Sequence, residues 1–337
     1  MNTRRRLVAA LGACALASPL TSLAPLAAFA QEAGKVRRIG FLGVRSRSTP
    51  SNPDVYYDAF VQGMRELGYV EGKNRVIEWR FADGKYERLP DLADTLVQMK
   101  VEVIVTHSTP GTRAAQQVTS SIPVVTAAAL DVVGSGFAKS LAHPGGNITG
   151  LTQIVPDVTP KHIELLRIIV PRLSRVAVLM NPGNTAHSGI LKGIQATAQQ
   201  VGIKVLSIEA RTSEEITHGF ATMARDRAGA VIVIADGFFI GQKRLIAEAG
   251  IKNRMPTMSS YREDVEAGGL MSYGQNVADF YWRAATYVDK ILKGTKPGDI
   301  PIEQPMRIHL AINRKTAKAL GLKINNEPLL RADEIIE

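Results

Sequence analysis

The sequence predicts an α/β protein of two Rossmann-like lobes, each built on a parallel sheet, because one strand–helix–strand pattern occurs twice. Arg37–Gly43 and 174–181 are short apolar runs, and each is followed by a helix-like stretch that ends at a glycine and then by a second strand. Largely apolar runs at 101–106 and 230–235 continue the two copies, and strands are predicted next at 122–125 (IPVV) and 255–258 (MPTM). Strands that alternate with helices pair in parallel and are buried on both faces. Two such lobes in one chain predict a ligand cleft between them.

The first thirty residues have the features of an export signal rather than of folded structure. Three arginines at 4–6 precede an apolar stretch, and residues 28–30 (AFA) form a small-x-small cleavage site. A membrane anchor is disfavoured because the apolar stretch is short and is interrupted by Pro19 and Pro25. We expect cleavage after Ala30 and release into the periplasm, by the general secretory route or by the twin-arginine route.

Cys14 is the only cysteine of the 337 residues, and it lies inside this segment. Residues 11–14 loosely match a lipoprotein signal, which stays an alternative, but the apolar sequence continues beyond them where such a signal should end. Cleavage after Ala30 leaves a mature chain without cysteine. That chain can form neither a disulfide nor a thiolate nucleophile.

The formal net charge of +10 does not indicate a nucleic-acid partner. Cleavage of residues 1–30 removes three arginines and no acid, which lowers the charge by three, to +7. The remaining basic residues are dispersed, with pairs such as Arg37-Arg38 and no basic stripe. A hydrophobic content of 45% is ample for two lobes. The composition therefore predicts a soluble, exported protein that does not bind nucleic acid.

In the first copy, residues 52–54 (NPD) predict a helix start, with a capping amide at Asn52 followed by proline and an acid. Apolar residues then recur at helical spacing until Gly68. A second amphipathic helix, over 89–99, leads into the strand at 101–106. The alternation of strands and helices is interrupted at 145–147 (GGN), which predicts the first crossing to the other lobe.

The second lobe is predicted to begin with a helix near 161–170, and the return crossing is predicted at 268–274 (GGLMSYG). A long helix then ends at Gly294. A late strand and a short helix follow, at 306–312 and 316–320. The predicted segments are 36–153 and 275–300 for the first lobe, and 154–274 and 301–337 for the second.

Candidate binding residues follow from the rule that ligands bind just beyond the carboxyl ends of the strands in open α/β sheets. Applied to both copies, the rule selects hydroxyl, amide, carboxylate, guanidinium and phenol groups. The predicted ligand-binding residues are Arg45, Ser46, Ser108, Thr109, Asp131, Asn181, Asp236 and Tyr261.

Several of these residues also have a purely structural explanation. Ser108 and Thr109 open a helix whose free N–H groups favour a carboxylate or a phosphate, but an N-cap worth about 1 kcal/mol needs no ligand. Asp236 and Asp131 could take a ligand's ammonium group or cap the following helix. Tyr261 could contact a planar ligand or pack at the hinge. The residues alone leave these alternatives open.

The sequence contains no complete catalytic or cofactor motif. The six histidines are scattered, and none has the spacing of a zinc site. There is no Gly-x-Ser-x-Gly elbow and no Walker A loop. Gly134-Ser135-Gly136 begins like a dinucleotide fingerprint, but Lys139 stands where the third glycine is needed. We therefore expect no enzymatic activity, no cofactor and no metal.

Several stretches between Arg38 and Glu337 match a known family. They are 66–74 (ELGYVEGKN), 109–110 (TP), 144–151 (PGGNITGL), 265–274 (VEAGGLMSYG), 284–293 (AATYVDKILK) and 316–322 (TAKALGL). On these stretches the chain resembles the substrate-binding proteins of ABC importers, and most closely the family that includes tryptophan- and tyrosine-type binding proteins.

The resemblance implies a periplasmic binding protein type I fold, with three crossings between the lobes and no enzymatic activity. It also implies an amino-acid-like ligand, aromatic ones included. The loop at Thr109 and Pro110 would hold the carboxylate of this ligand, and Asp236 would hold its amine. The implied partners are an ABC permease and its ATPase at the inner membrane. The binding protein itself is expected to be a monomer that closes on its small-molecule ligand at a hinge.

The sequence departs from the family pattern at two places. Asp131 is followed by Val132 where Asp-Pro is usual, and residues 45–51 (RSRSTPS) are more basic than the pattern. Arg45 or Arg47 could favour a ligand with a second acidic group. Two other functions stay open: a sensor protein that presents its ligand to a membrane receptor and, with less support, an exported enzyme that uses the same cleft.

Overall fold

The backbone forms two separate sheets, as the repeated strand–helix–strand pattern predicts. The computed structural model describes residues 36–49, 53–170 and 172–337. The predicted export segment 1–30, with Cys14, and the predicted cap Asn52 lie outside the described residues, so they stay predictions. Arg37–Glu337 form one compact unit, in which each sheet organises one lobe.

The first sheet has five strands, all parallel, in the order β2-β1-β3-β4-β5. The last three strands in sequence are buried at every position, which is typical of a parallel sheet with helices on both faces. The strands are β1 (Arg37–Gly43), β2 (Arg75–Phe81), β3 (Val103–Thr106), β4 (Val124–Leu130) and β5 (Ile148–Gln153). The helices are α1 (Val55–Glu66), α2 (Leu89–Gln98) and α3 (Thr109–Val118), with a 3-10 turn at Tyr86–Arg88.

The second sheet has seven strands in the order β12-β11-β10-β9-β8-β6-β7. Its strands are β6 (Arg175–Met180), β7 (Lys204–Glu209), β8 (Ala230–Val233), β9 (Thr257–Ser259), β10 (Met271–Gln275), β11 (Ile308–Asn313) and β12 (Glu334–Ile336). Its helices are α4 (Val155–Ile169), α5 (His187–Gln200), α6 (Ser213–Arg225), α7 (Gly237–Gly241), α8 (Lys243–Lys252) and α9 (Arg262–Glu266), with α11 (Arg314–Ala319) and α12 (Asn326–Arg331) near the C-terminus. The pairs are parallel except for β10 and β11, which are antiparallel.

The chain passes between the lobes three times. It leaves the first lobe after β5, returns after β10, and enters the second lobe again between the 3-10 turn Pro297–Asp299 and β11. The long helix α10 (Val277–Leu292) follows this return and packs on α1 and on the first sheet. The first lobe is therefore completed by a helix that follows most of the second lobe in the sequence.

Two glycines allow the crossing strands to pass close to neighbouring backbone. Gly150 of β5 has φ +128°, and a Cβ atom there would lie 2.0 Å from the carbonyl oxygen of Thr126. A Cβ atom on Gly274 of β10 would lie 2.2 Å from the carbonyl oxygen of Ser260. Because a neighbouring backbone cannot yield as a side chain can, both crossings require glycine.

The hydrophobic core is continuous between the lobes. One cluster of buried apolar side chains contains Phe41 of the first sheet, Ile232 of the second sheet, and Val277 and Tyr281 of α10. Among the described residues, no helix has both the length and the apolar character that a membrane span requires.

Three boundaries differ from the sequence-based predictions. The strand predicted at 122–125 runs on to Leu130, because its further residues are small and apolar and fit between helices. The helix predicted near 161 begins at Val155 and continues through Pro160, at the cost of one backbone hydrogen bond. Helix α1 is capped by Asp54, whose side chain accepts the N–H groups of Tyr56 and Tyr57.

Candidate functional site

A cavity lies between the lobes, beyond the carboxyl ends of the strands. A water-sized sphere can occupy only about 20 Å³ of it, so the lobes close tightly on this space. Its polar lining consists of Arg45, His107, Ser108, Thr109, Gln153, Asn184, Asp236, Tyr261 and Tyr281. Its remaining lining consists of Ala128, Leu130, Ala235, Gly237, Ile240 and Val277.

Asp236 forms the acidic end of the cavity and is 3% exposed. Its Oδ1 atom accepts three hydrogen bonds, from the N–H of Phe238 at 3.0 Å, the amide of Asn181 at 3.2 Å and the hydroxyl of Tyr86 at 2.7 Å. The bond from Phe238 caps α7. Its Oδ2 atom accepts the amide of Asn184 at 2.9 Å. These donors compensate for the burial of the carboxylate. With a single short hydrogen bond, Oδ2 keeps room to accept one more.

His187 lies behind Asp236 and holds this end of the cavity in place. Its Nδ1 accepts the N–H of Asn181 at 3.0 Å, and its Nε2 lies 3.1 Å from the carbonyl oxygen of Ala235. The neutral ring therefore carries its proton on Nε2, since that atom faces an acceptor. Burial lowers the pKa of His187, which favours this neutral form. The imidazole thus positions Asn181 without adding a charge next to Asp236.

Arg45 forms the basic end of the cavity and is 5% exposed. Its Nε and Nη2 atoms bind the two carboxylate oxygens of Asp54 at 2.6 and 3.0 Å. The rings of Tyr56 and Tyr57 lie 4.9 and 4.8 Å from its guanidinium carbon, within the range of cation–π attraction. Because Asp54 also caps α1, one ion pair fixes both the start of that helix and the guanidinium.

The start of α3 contributes two hydroxyl groups that differ in what they can still bind. Thr109 Oγ1 accepts the N–H of Leu130 at 3.0 Å and lies 3.3 Å from its carbonyl oxygen, so both its roles are filled within the first sheet. Ser108 Oγ accepts the N–H of Gly111 at 3.2 Å and caps α3. The proton of the Ser108 hydroxyl stays available for donation into the cavity.

His107 lies between Arg45 and Ser108 and is 4% exposed. Its Nε2 accepts the N–H of Val44 at 2.9 Å. Burial, together with the charge of Arg45, lowers the pKa of His107 well below its usual range. The ring is therefore neutral with its proton on Nδ1, and that atom lies 3.5 Å from Nη1 of Arg45.

Two side-chain pairs join the lobes across the cavity. Tyr86, in the turn before α2, donates its hydroxyl to Asp236 in the second lobe. Burial, together with the charge of Asp236, raises the pKa of Tyr86 well above its usual range, so the hydroxyl keeps its proton. At the other side, the amide of Gln153 lies 3.3 Å from the hydroxyl of Tyr261. The lobes are thus closed on each other.

Comparison with known proteins identifies the family. The family described as ABC transporter substrate binding protein matches residues 49–336. The chain belongs to this family. The resemblance recognised in the sequence is therefore confirmed.

Relatives of this substrate-binding protein cover most of the chain. A tyrosine-binding protein of Clostridioides difficile (strain R20291) is 24% identical over 278 residues, which cover 82% of this chain and 80% of that protein. A conserved domain protein of Vibrio cholerae O1 biovar El Tor is 26% identical, with a TM-score of 0.82 over 89% of this chain and 100% of that one. An ABC domain of Streptococcus pneumoniae in complex with L-Trp is 25% identical, with a TM-score of 0.81 over 90% of this chain and 100% of that one. These likenesses confirm the predicted fold of two lobes with parallel sheets.

The structure brings most of the sequence-predicted site residues together. Those that line the cavity are Arg45, Ser108, Thr109, Asp236 and Tyr261. Asn181 lies directly behind the lining, bonded to Asp236. Ser46 is exposed and lines a larger outer groove at the mouth of the cleft.

Asp131 does not line the cavity. It is exposed, has φ +43°, and accepts the N–H of Gly134 at 2.9 Å, so that it closes its own turn. Asp131 follows β4 directly, but its left-handed backbone turns its side chain to Gly134 rather than into the cavity. The structural explanation for Asp131, local capping of a turn, fits these contacts.

Three lining or bridging residues, Gln153, Tyr281 and Tyr86, were missed by sequence reasoning. The strand-end rule also reaches His107 and Asn184, which follow β3 and β6. Gln153 is the last residue of β5 and had no separate signal. Tyr281 belongs to the apolar stripe of α10 and has the spacing of a core residue. Tyr86 had no signal, because only the closure of the lobes brings it to Asp236. No cluster of three or more potential metal ligands occurs in the part of the chain that the structure describes.

Proposed function

We propose that this substrate-binding protein captures a small amino-acid-like ligand between its lobes and delivers it to an ABC permease and its ATPase at the inner membrane. Export to the periplasm by cleavage after Ala30 is part of the proposal. The observation that carries it is the opposite charge of the two ends of one cavity, with Asp236 at one end and Arg45 at the other. A zwitterion offers an ammonium group to the first and a carboxylate to the second.

The ammonium subsite of the proposal is Oδ2 of Asp236. Three donors already bind Oδ1, whereas Oδ2 has one short hydrogen bond, from Asn184. One N–H of an ammonium group can fill the position that is left. A guanidinium group, which needs both carboxylate oxygens for a bidentate contact, fits this arrangement poorly. The proposal therefore favours α-amino acids over arginine-like head groups at this end.

The remaining lining suits an apolar or aromatic side chain. Leu130, Ile240 and Val277 supply apolar surface, and the rings of Tyr261 and Tyr281 supply edges or faces for a planar group. The names of two relatives point to the same class, since one is a tyrosine-binding protein and another was solved with L-Trp. Aromatic amino acids are therefore the first ligands to test.

The same contacts argue against chemistry in the cleft. The serine at this site, Ser108, uses its oxygen to cap α3, and the neighbouring His107 has its Nε2 lone pair bonded to a backbone N–H. A general base needs a free lone pair of its own within hydrogen-bond distance of the nucleophile's proton. Capture without reaction fits the family, which is a substrate-binding one.

A thermal-shift screen of the mature protein tests the ligand class. The set contains the twenty amino acids, dicarboxylates, purines and sugars, each at high excess. A ligand at 100 times its dissociation constant should stabilise the protein by about 2.7 kcal/mol. Shifts with aromatic amino acids support the proposal. Shifts with sugars or purines alone would show that the ligand class is wrong.

Delivery needs a separate experiment. The liganded protein, added to proteoliposomes that contain a candidate ABC permease and its ATPase, should raise ATP hydrolysis above the level with the free protein. Stimulation of a membrane receptor instead, with no effect on the ATPase, would favour the sensor function.

A further inference from the structure

One hydrogen-bond donor in the cavity, Nδ1 of His107, lies beside another donor and has only the main-chain carbonyl oxygen of its own residue as an acceptor. The N–H of Val44 occupies the lone pair of Nε2 in His107, so the neutral ring carries its proton on Nδ1. The group at 3.5 Å from Nδ1 is Nη1 of Arg45, and a guanidinium nitrogen has no lone pair to offer. Both side chains are more than nine-tenths buried, so solvent reaches them only through the cavity.

The other contacts of the guanidinium leave this edge free. Asp54 binds Nε and Nη2, and the hydroxyl of Tyr281 lies 3.5 Å from Nη1. A second hydrogen on Nη1 is left on the side of His107. Two N–H groups therefore converge on one point of the cavity lining, beside a Ser108 hydroxyl whose proton is also available.

We propose that a carboxylate oxygen of the ligand binds between Nδ1 of His107 and Nη1 of Arg45. The proposal rests on the proposed function and makes it more specific, because it assigns the acid of the ligand to this pair. Ser108 donates to the second carboxylate oxygen. Thr109, whose hydroxyl is fully bonded within the first sheet, contributes shape only.

This placement makes His107 a residue with two separable roles. Its Nε2 fixes the end of β1 through Val44, which is a structural role. Its Nδ1 proton recognises the acid, which is a binding role. Glutamine and asparagine separate the two, because the amide of glutamine reaches the position of Nε2 and that of asparagine reaches the position of Nδ1.

The test compares His107→Gln and His107→Asn in the full mature protein by isothermal titration and by unfolding. The probes are L-tyrosine and L-tryptophan, with their carboxamides as ligands that lack the acid. His107→Gln should weaken binding of the acids by about tenfold or more, since a hydrogen bond to a charged group is lost. It should leave the unfolding midpoint close to that of the wild type. His107→Asn keeps a donor at the position of Nδ1, so it should still prefer acid to amide, and its unfolding midpoint should fall because the N–H of Val44 loses its acceptor.

The carboxamides provide the matched control. The wild type should bind them at least tenfold more weakly than the acids, and His107→Gln should bind acid and amide almost equally. Equal binding of acids by the wild type and His107→Gln overturns the inference alone, and so does wild-type binding of the amides as tight as of the acids. Wild-type protein that binds none of the acids overturns the inference together with the proposed function. If either variant fails to fold, wild-type binding of the amides as tight as of the acids still overturns the inference.

Discussion

Tyr86 connects the lobes through a single hydroxyl group. It donates to Asp236 at 2.7 Å and lies 3.2 Å from the N–H of Phe238, both in the second lobe. Its ring packs against Gly183, where a Cβ atom would come within 3.1 Å of it. These contacts exist only when the lobes are closed. The hydrogen bond of this hydroxyl therefore stabilises the closed arrangement of the lobes rather than the fold of either lobe.

Replacement of Tyr86 by phenylalanine should weaken ligand binding by about tenfold. A hydrogen bond to a charged group is worth about 1.5–3 kcal/mol, and a ligand that binds the closed state loses the same amount of apparent affinity. Isothermal titration with the ligand found in the screen measures this. The control is Tyr69→Phe, since the Tyr69 hydroxyl also donates to a carboxylate, that of Asp289 at 3.0 Å, but within the first lobe. Tighter binding by Tyr86→Phe would contradict the prediction and indicate that Tyr86 competes with the ligand for Asp236.

His162 makes the folded state sensitive to acid. It lies on α4, its Nε2 lies 2.7 Å from the carbonyl oxygen of Tyr273, and its Nδ1 has no partner. Burial lowers the pKa of His162 to about 4. The pKa in the unfolded chain is about 6.5, so the unfolded state takes up the proton first as the pH falls. Stability that is present above about pH 6.5 is therefore lost between pH 6.5 and pH 4.

The variant His162→Gln should retain more of its stability in acid than the wild type does. A glutamine amide can donate to the same carbonyl oxygen and does not titrate. The shift of His162 corresponds to about 3 kcal/mol, which is the expected difference in acid-induced loss between the two proteins. Urea unfolding at pH 7, 5.5 and 4 measures it. His143→Gln, at an exposed turn, is the control and should follow the wild type. Parallel pH curves for His162→Gln and the wild type would contradict the argument.

At the residue scale, the sequence predicted where the site residues lie better than it predicted which groups they contact. The rule of strand ends brought Arg45, Ser108 and Asp236 to one cavity, because parallel strands end at one edge of a sheet. The rule also selected Asp131, whose left-handed backbone directs its side chain to Gly134 instead. It had no means to find Tyr86, whose role depends on how two lobes meet.

At the scale of elements, helix α7 is shaped for close approach of the lobes. A Cβ atom on Gly237, the first residue of α7, would lie 3.1 Å from Cγ1 of Val44 in the first lobe and 3.6 Å from Cε1 of His107. Contacts of 3.1 Å are too short for two carbon atoms, so a side chain here must push the lobes apart by a few tenths of an ångström. At the other end of the same helix, a Cβ atom on Gly241 would meet nothing within 4 Å.

The variant Gly237→Ala should bind its ligand several-fold more weakly while the free protein keeps its stability. The added methyl group opposes closure, since the three atoms nearest to it all belong to the first lobe, and alanine is a better helix former than glycine. Gly241→Ala is the matched control in the same helix and should bind as the wild type does. Titration and thermal unfolding of both variants check this. An unchanged affinity of Gly237→Ala would show that the lobes adjust at no cost.

Elements were predicted well where their periodicity is local and poorly where partners decide them. The helices after β1 and β10 and the strands of both sheets follow from apolar spacing. The antiparallel direction of β11 does not, because it depends on where the chain re-enters the second lobe. The start of α4, six residues before the predicted position, depends on packing that outweighs the proline at 160.

At the scale of the whole molecule, the connections make the lobes interdependent. The first lobe is completed by α10, and the second by β11 and β12, so neither lobe is one continuous segment. The buried cluster that contains Phe41, Ile232 and Val277 crosses from one lobe to the other. A partly unfolded state would expose that shared surface on both sides. The two-lobed shape therefore does not imply two independent folding units.

We accordingly expect the mature protein to unfold in a single cooperative transition. Both tryptophans, Trp79 in β2 and Trp282 in α10, lie in the first lobe, so tryptophan fluorescence reports that lobe, whereas far-ultraviolet circular dichroism reports all helices and strands. The two midpoints should coincide, and the calorimetric enthalpy should equal the van't Hoff enthalpy. A ligand at 100 times its dissociation constant should move both signals together, by about 2.7 kcal/mol, because it contacts both lobes. A chain that stops before α10 is the control, and its remaining tryptophan should be exposed to solvent because the first sheet has lost its covering helix. Two separate transitions in the intact protein, with the fluorescence change in only one of them, would show that the lobes fold independently and that the shared core contributes little.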